Sequence, residues 1–175
     1  MNYPLILLIA LFSLTSCKEN TSENQLGKDK VITTFYLIRH AEKATGNDPL
    51  LTDEGIAHAN FWAEYLSDKN IDLVYSTDTR RTRATAQPAA EMFDTTIAAY
   101  SPQEGFSQRL KEETARKNVL IVGHSNTVPF LANAILGKEK FKEIDEKNFD
   151  NIYVVTLNGE KVTARKIKLS NWDKE

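Results

Sequence analysis

The sequence predicts an α/β fold, a three-layer sandwich in which a mostly parallel sheet is flanked by helices and followed by a C-terminal β-hairpin. Two observations carry this. From Val31 onward, short apolar runs alternate with longer stretches of helical periodicity, the rhythm of parallel strands joined by crossover helices. Near the end, Asn158-Gly159 separates two strand-like runs, a signal for an antiparallel turn. A chain of 175 residues, 41% of them hydrophobic, can bury one core, so residues 31–175 are expected to form a single domain.

Taken in order, Val31 to Ile38 is dense in β-branched and aromatic residues and forms the first buried strand. Thr52 caps a helix with Asp53 and Glu54 in its first turn, where carboxylates meet the positive end of the dipole; Ile56, Ala59, Trp62 and Leu66 follow at helical spacing. Ile71 to Tyr75 is a second strand. The cluster Ser76-Thr77-Asp78-Thr79 then caps a helix beginning near Arg80, which Pro88 should kink or shorten for want of an N–H. A short strand is expected around Thr96 to Tyr100, and a charged amphipathic helix from Gln103 to Lys117. Val119 to Val122 is the clearest core strand, closed by Gly123. Asn126 to Leu136 forms a helix with Pro129 in its first turn and Gly137 as its stop. Ile152 to Leu157 and Lys161 to Leu169 make the hairpin.

Ahead of this domain, the apolar run Leu5 to Leu14 is far short of the roughly 20 residues that cross a bilayer as a helix. It has the form of a signal peptide over residues 1–16. Leu14-Thr15-Ser16-Cys17 resembles the lipobox of bacterial lipoproteins, which implies a lipid on Cys17, the sole cysteine. Residues 17–30 are then a lipidated cysteine and a polar tether, too poor in apolar groups to order themselves. The expected location is the bacterial cell envelope, outside the cytoplasm, with the membrane reached through Cys17. The alternative is an ordinary signal peptide with an incidental cysteine. A formal net charge of −2, with both signs mixed along the chain, offers no basic face to nucleic acid.

Two predicted strands end alike. YLIRH sets Arg39 and His40 at one carboxyl end, and LIVGHS sets His124 at another. In a parallel sheet those ends share an edge, the edge where open α/β folds bind ligands. The third of the three histidines, His58, falls mid-helix and is expected to be a surface or half-buried helix residue without a role. STDTRRTRATA, residues 76–86, adds Arg80, Arg81 and Arg83 where another strand ends. Guanidinium groups at a helix start reinforce its positive end and match phosphate oxygens, so the assembly suits a dianion. At least two of these three arginines are expected to be solvated surface charges.

Arg39-His40-Ala41-Glu42 resembles the Arg-His-Gly-Glu signature of the histidine phosphatase superfamily, also called phosphoglycerate-mutase-like. Ser76 to Ala86 resembles its Ser-Ser-x-x-x-Arg-Ala-x-Gln-Thr-Ala element, Val122-Gly123-His124-Ser125 its second histidine block, and Asp48 to Gly55 the segment leading into its first helix. The resemblance implies that His40 is the nucleophile and that Arg39, Arg81 and His124 hold the phosphoryl group. Asn47 is a possible phosphate contact, one residue late for the mutase asparagine. Glu104 is the positional match for the proton donor; Ser125 stands where the acid-phosphatase branch has an Asp, and Glu42 is expected to be structural. Ala41 replaces the usual Gly and asks for a more restricted backbone.

The expected function is therefore metal-independent hydrolysis of a small phosphorylated substrate through a phosphohistidine on His40, with no cofactor. Surrounding cations favour the neutral imidazole that attack requires. A lipoprotein that keeps the phosphate pocket without turnover, or a mutase-type phosphotransferase, are the alternatives. An acyl-transfer serine at Ser125 is poor, because Thr127 stands where the second elbow glycine belongs and no histidine follows. The histidines lack the spacing of a metal motif, so no metal is expected.

Overall fold

The structure, a computed structural model, describes residues 32–169; the expected signal peptide, Cys17 and tether lie outside the described residues. The elements in chain order are β1 (Ile32–Arg39), α1 (Asp53–Leu66), β2 (Leu73–Ser76), α2 (Arg80–Met92), β3 (Ile97–Ala99), α3 (Gln108–Thr114), β4 (Asn118–Gly123), α4 (Thr127–Leu136), β5 (Asn151–Asn158) and β6 (Lys161–Lys168). They form one six-stranded sheet in the order β3-β2-β4-β1-β5-β6. The first four of these strands run parallel, and β5 and β6 add an antiparallel hairpin on β1.

Strand alternation builds the three layers. Phe35, Leu37, Val119, Ile121, Tyr153 and Val155 pack with Leu110 of α3 and with Val128, Leu131 and Ile135 of α4. Their neighbours in sequence, Ile38, Leu120, Val122 and Ile152, instead join Trp62 and Leu66 of α1 and Ala86, Ala89 and Ala90 of α2. Successive residues of a strand point to opposite faces, so the strands β1, β4 and β5 bury both sets against a helix pair. The expected sandwich is the one observed.

Two local expectations change. The helix expected over 103–117 is shorter, because Gly105 turns the chain at φ 55° and Ser107 starts α3 by accepting from the Leu110 N–H at 3.3 Å. Pro88 lies inside α2, which continues to Met92. In the hairpin, Asn158 pairs with Lys161, so Gly159-Glu160 is the two-residue turn; Gly159, at φ 60°, takes the first central position, as in a type II′ turn.

Candidate active site

β1 and β4 are neighbours in parallel register, with Arg39 opposite Gly123, so the chain leaves the sheet at His40 and His124 side by side. The His40 N–H donates to the Gly123 carbonyl at 2.9 Å, and the Thr77 N–H, just past β2, donates to the Val122 carbonyl at 3.1 Å. Three strand ends are thereby tied together, and the two imidazole rings stand 5.5 Å apart. Gly123 leaves room for Thr127: a Cβ there would meet Thr127 Oγ1 at 2.7 Å, the oxygen that accepts from the His124 N–H.

The protonation state of each ring follows from its partners. His40 Nδ1 lies 2.7 Å from the Ala41 carbonyl, which only accepts, so Nδ1 carries the proton and Nε2 keeps the lone pair. Burial lowers the pKa of His40 to about 3, assisted by Arg39, Arg81 and His124 and partly opposed by the Ala41 hydrogen bond. Desolvation thus outweighs the cations in keeping this ring neutral. His124 Nδ1 accepts from Arg81 Nη2 at 3.3 Å, which leaves Nε2–H to donate to Thr77 Oγ1 at 2.9 Å. The Thr77 hydroxyl donates to Thr82 Oγ1 at 3.1 Å, and that hydroxyl to the Thr77 carbonyl at 2.7 Å. Burial first, then Arg81 and Arg39, lower His124 to about 4.

Arg39 is 2% exposed. Its Nη1 donates to the carbonyls of Asp145, Glu146 and Asn148, its Nη2 meets Glu146 Oε2 at 2.7 Å, and its Cζ lies 4.3 Å from the centre of the Phe149 ring. Arg81 pairs with Asp48 Oδ1 at 3.3 Å, which also accepts from the Arg80 N–H at 3.0 Å. The buried Nε atoms of both Arg39 and Arg81 have no hydrogen-bond partner among the described residues. Arg80 and Arg83 are exposed, the latter 3.5 Å from Asp78, as expected of solvated charges.

The geometry brings together His40, His124, Arg39 and Arg81. Glu104 is not joined to them by any contact: it is half exposed and pairs with Arg109 at 3.4 Å. Asn47 is exposed and makes no hydrogen bond among the described residues, while its neighbour Asp48 reaches Arg81. Ala41 is fully buried without a positive φ, so the Gly-to-Ala departure leaves the backbone ordinary, and its N–H donates to Thr85 Oγ1 at 3.0 Å. His58 is a correction: it is fully buried, stacked on Trp62 and 3.0 Å from Glu42 Oε2, which gives Glu42 its structural place. Glu42, His58 and Asp150 converge within 4.8 Å, three donors of a kind that can hold a divalent ion.

Sequence reasoning missed Asp48 and the whole of segment 138–150. Asp48-Pro49 is a turn dipeptide, a signal for a bend but not for a salt bridge. Segment 138–150 carries neither helical nor strand periodicity, and nothing in its spacing points back to Arg39.

The family model of the histidine phosphatase superfamily (branch 1) matches residues 35–103. A search of curated proteins finds no match. Among solved structures, a mutant phosphoserine phosphatase from Entamoeba histolytica in complex with phosphoserine aligns at 19% identity and TM-score 0.59, over 75% of this chain and 94% of that one. A protein assigned as the phosphohistidine phosphatase SixA of Agrobacterium tumefaciens aligns at 19% identity and TM-score 0.57, over 78% and 99%. A mycobacterial glucosyl-3-phosphoglycerate phosphatase aligns at 12% and 0.56, over 78% and 98%. At such identities the likeness is one of fold. The residues matched by the family model include Arg39, His40 and Arg81 and end before His124.

Proposed function

We propose that this protein is a phosphatase that hydrolyses phosphomonoesters without a metal, through a phosphohistidine on His40. The carrying observation is a buried, neutral His40 with Nδ1 fixed on the Ala41 carbonyl, beside two arginines whose buried Nε–H groups lack an acceptor among the described residues. A phosphoryl dianion supplies acceptors and charge to both guanidinium groups. The His40 Nε2 lone pair then forms an N–P bond as the ester P–O bond breaks, and water later cleaves the N–P bond to release phosphate. Arg39 and Arg81 stabilise charge on the equatorial oxygens. His124 acts with them by holding Arg81 from one nitrogen while Thr77 fixes the other. The phosphatase names among the structural neighbours agree with this reading.

The test is turnover of p-nitrophenyl phosphate in the presence of a chelator, wild type against His40→Ala, with trapping of an acid-labile phosphoenzyme. Chelator-resistant hydrolysis and labelling that vanish together in the variant are expected. Equal rates in both proteins remove His40 as nucleophile. Phosphate binding without turnover in the wild type points instead to a binding lipoprotein, the reading favoured if Arg39 stays clamped by segment 138–150.

We also propose that the domain is exported and lipid-anchored at Cys17, supported by the Leu14-Thr15-Ser16-Cys17 run. No helix among the described residues is long and apolar enough to cross a membrane. Labelled palmitate should enter the wild type and not Cys17→Ser; equal labelling overturns the anchor.

A further inference from the structure

The leaving oxygen of an ester needs a proton, and Glu104, the positional candidate, is paired with Arg109 away from the histidines' contacts. Segment 138–150 brings a different carboxylate. Glu146 Oε2 accepts from Arg39 Nη2 at 2.7 Å, and Oε1 accepts from the Ser125 hydroxyl at 2.9 Å. Arg39 immediately precedes His40, and Ser125 immediately follows His124. One carboxylate therefore links the flanks of two rings that stand 5.5 Å apart.

The segment is anchored to hold it there. Three of its carbonyls take Arg39 Nη1, the Ile144 N–H donates to the Ser125 carbonyl at 3.0 Å, and the Phe149 ring centre lies 5.9 Å from that of His40. The Glu146 side chain is nonetheless 73% exposed, so water and a departing alcohol can reach it. Glu143 comes within 3.4 Å of the same Ser125 hydroxyl, but has no contact with Arg39.

We propose that Glu146 gives the proton to the leaving oxygen and takes the proton from the hydrolytic water, an assignment that rests on the phosphohistidine reading above. In the first step His40 Nε2 forms the N–P bond, the P–O bond breaks, and the Glu146 carboxyl O–H passes its proton to the departing oxygen. In the second, the resulting carboxylate removes a proton from water as its oxygen bonds to phosphorus and the N–P electron pair returns to His40. Phosphate leaves and the carboxyl group is protonated again.

Substrate binding itself arms the acid. In the free protein the Ser125 hydrogen bond, and then Arg39, hold the Glu146 carboxyl below its ordinary pKa. A dianion that takes over Arg39 Nη2 removes that guanidinium from the carboxylate and sets negative charge beside it. Both changes favour the protonated form.

The experiment compares Glu146→Gln with wild type on two esters: p-nitrophenyl phosphate, whose leaving oxygen departs as a stabilised anion, and β-glycerophosphate, whose does not. Gln keeps the size and an acceptor for Ser125. The expected fall in kcat/KM is roughly 10²- to 10⁴-fold for the alkyl ester and below about tenfold for the nitrophenyl ester. A one-equivalent burst of p-nitrophenol should accompany it, as slowed hydrolysis leaves phosphohistidine standing. Glu146→Asp, which retains the acid, should recover the alkyl ester preferentially. Equal losses on both esters make Glu146 an anchor of Arg39 and overturn the assignment, as does the same ester-dependent loss appearing in Glu104→Gln or Glu143→Gln instead. A wild type that hydrolyses neither ester and takes no label on His40 removes the phosphatase reading, and this one with it.

Discussion

Replacing His40 by Asn removes one titrating ring while keeping a neutral donor for the Ala41 carbonyl, and the expected effect is on how stability depends on pH. In the folded protein His40 titrates at about 3, chiefly because burial opposes the imidazolium; in the unfolded chain an imidazole titrates near 6.5. The folded value lies below the unfolded one, so the unfolded chain binds more protons between them. This contribution to stability is present above about pH 6.5 and is lost as pH falls toward 3. Between pH 7 and pH 5 the unfolded ring goes from about one-quarter to nearly fully protonated while the folded ring stays neutral, a loss of about 1.9 kcal/mol. Urea denaturation of both proteins at pH 7, 6 and 5 measures it, since every other group cancels in the comparison. Wild type should lose about 2 kcal/mol more than His40→Asn over this range. The same pH dependence in both would mean that the folded ring accepts a proton as readily as a solvated one, which refutes the burial on which the proposed neutral nucleophile depends.

Two further outcomes follow from the same geometry. In Gly55→Ala the new Cβ would sit 2.1 Å from the Glu42 carbonyl oxygen, a backbone atom, so α1 must move off the strand-end segment. A destabilisation of about 1–3 kcal/mol is expected. At about 2–4 °C per kcal/mol for a chain of this size, a calorimetric Tm should fall by several degrees, and an unchanged Tm contradicts the close approach. Asp48→Asn removes a negative charge 3.3 Å from Arg81. Inorganic phosphate should then inhibit p-nitrophenyl phosphate turnover at a concentration about three- to tenfold lower, a difference that shrinks in high salt as exposed charges are screened; weaker inhibition by phosphate would show that Asp48 orients Arg81 for the anion.

The layers of the fold were legible because alternation and helical periodicity are local signals. Phe35 and Leu37 against Ile38 already separate the two faces on which α3 with α4 and α1 with α2 pack. The histidine pair was legible for a related reason, since two strands ending in Arg-His and Gly-His can place those residues only on one sheet edge when the strands are parallel. Side-chain partnerships were not. His58 sits beside two alanines in a helix, and only the fold reveals that it is wholly buried against Trp62 and bonded to Glu42. Helix α3 began later than its charge pattern implied because a positive φ at Gly105 and a serine cap outrank amphipathicity at that point.

Arg39 shows why the remaining half of the site had to come from an irregular segment. A guanidinium with 2% exposure at the end of a core strand needs acceptors, and the neighbouring strands spend their own carbonyls on the sheet. A loop has carbonyls to offer, and 138–150 commits three of them to Nη1. The remaining side of the guanidinium is held more lightly: Nη2 meets one carboxylate on a largely exposed side chain, and Nε meets no protein acceptor among the described residues. The Glu146 carboxylate is largely in water and regains hydration when it leaves Arg39, whereas stripping carbonyls from a buried cation leaves it unpaired. On the proposed phosphate-binding role, a dianion displaces Glu146 while Nη1 stays anchored, so the arginine keeps its position next to His40 as its partner changes. That proposal divides one guanidinium between a fixed side and an exchangeable side, and so accounts for a strand that ends in Arg-His.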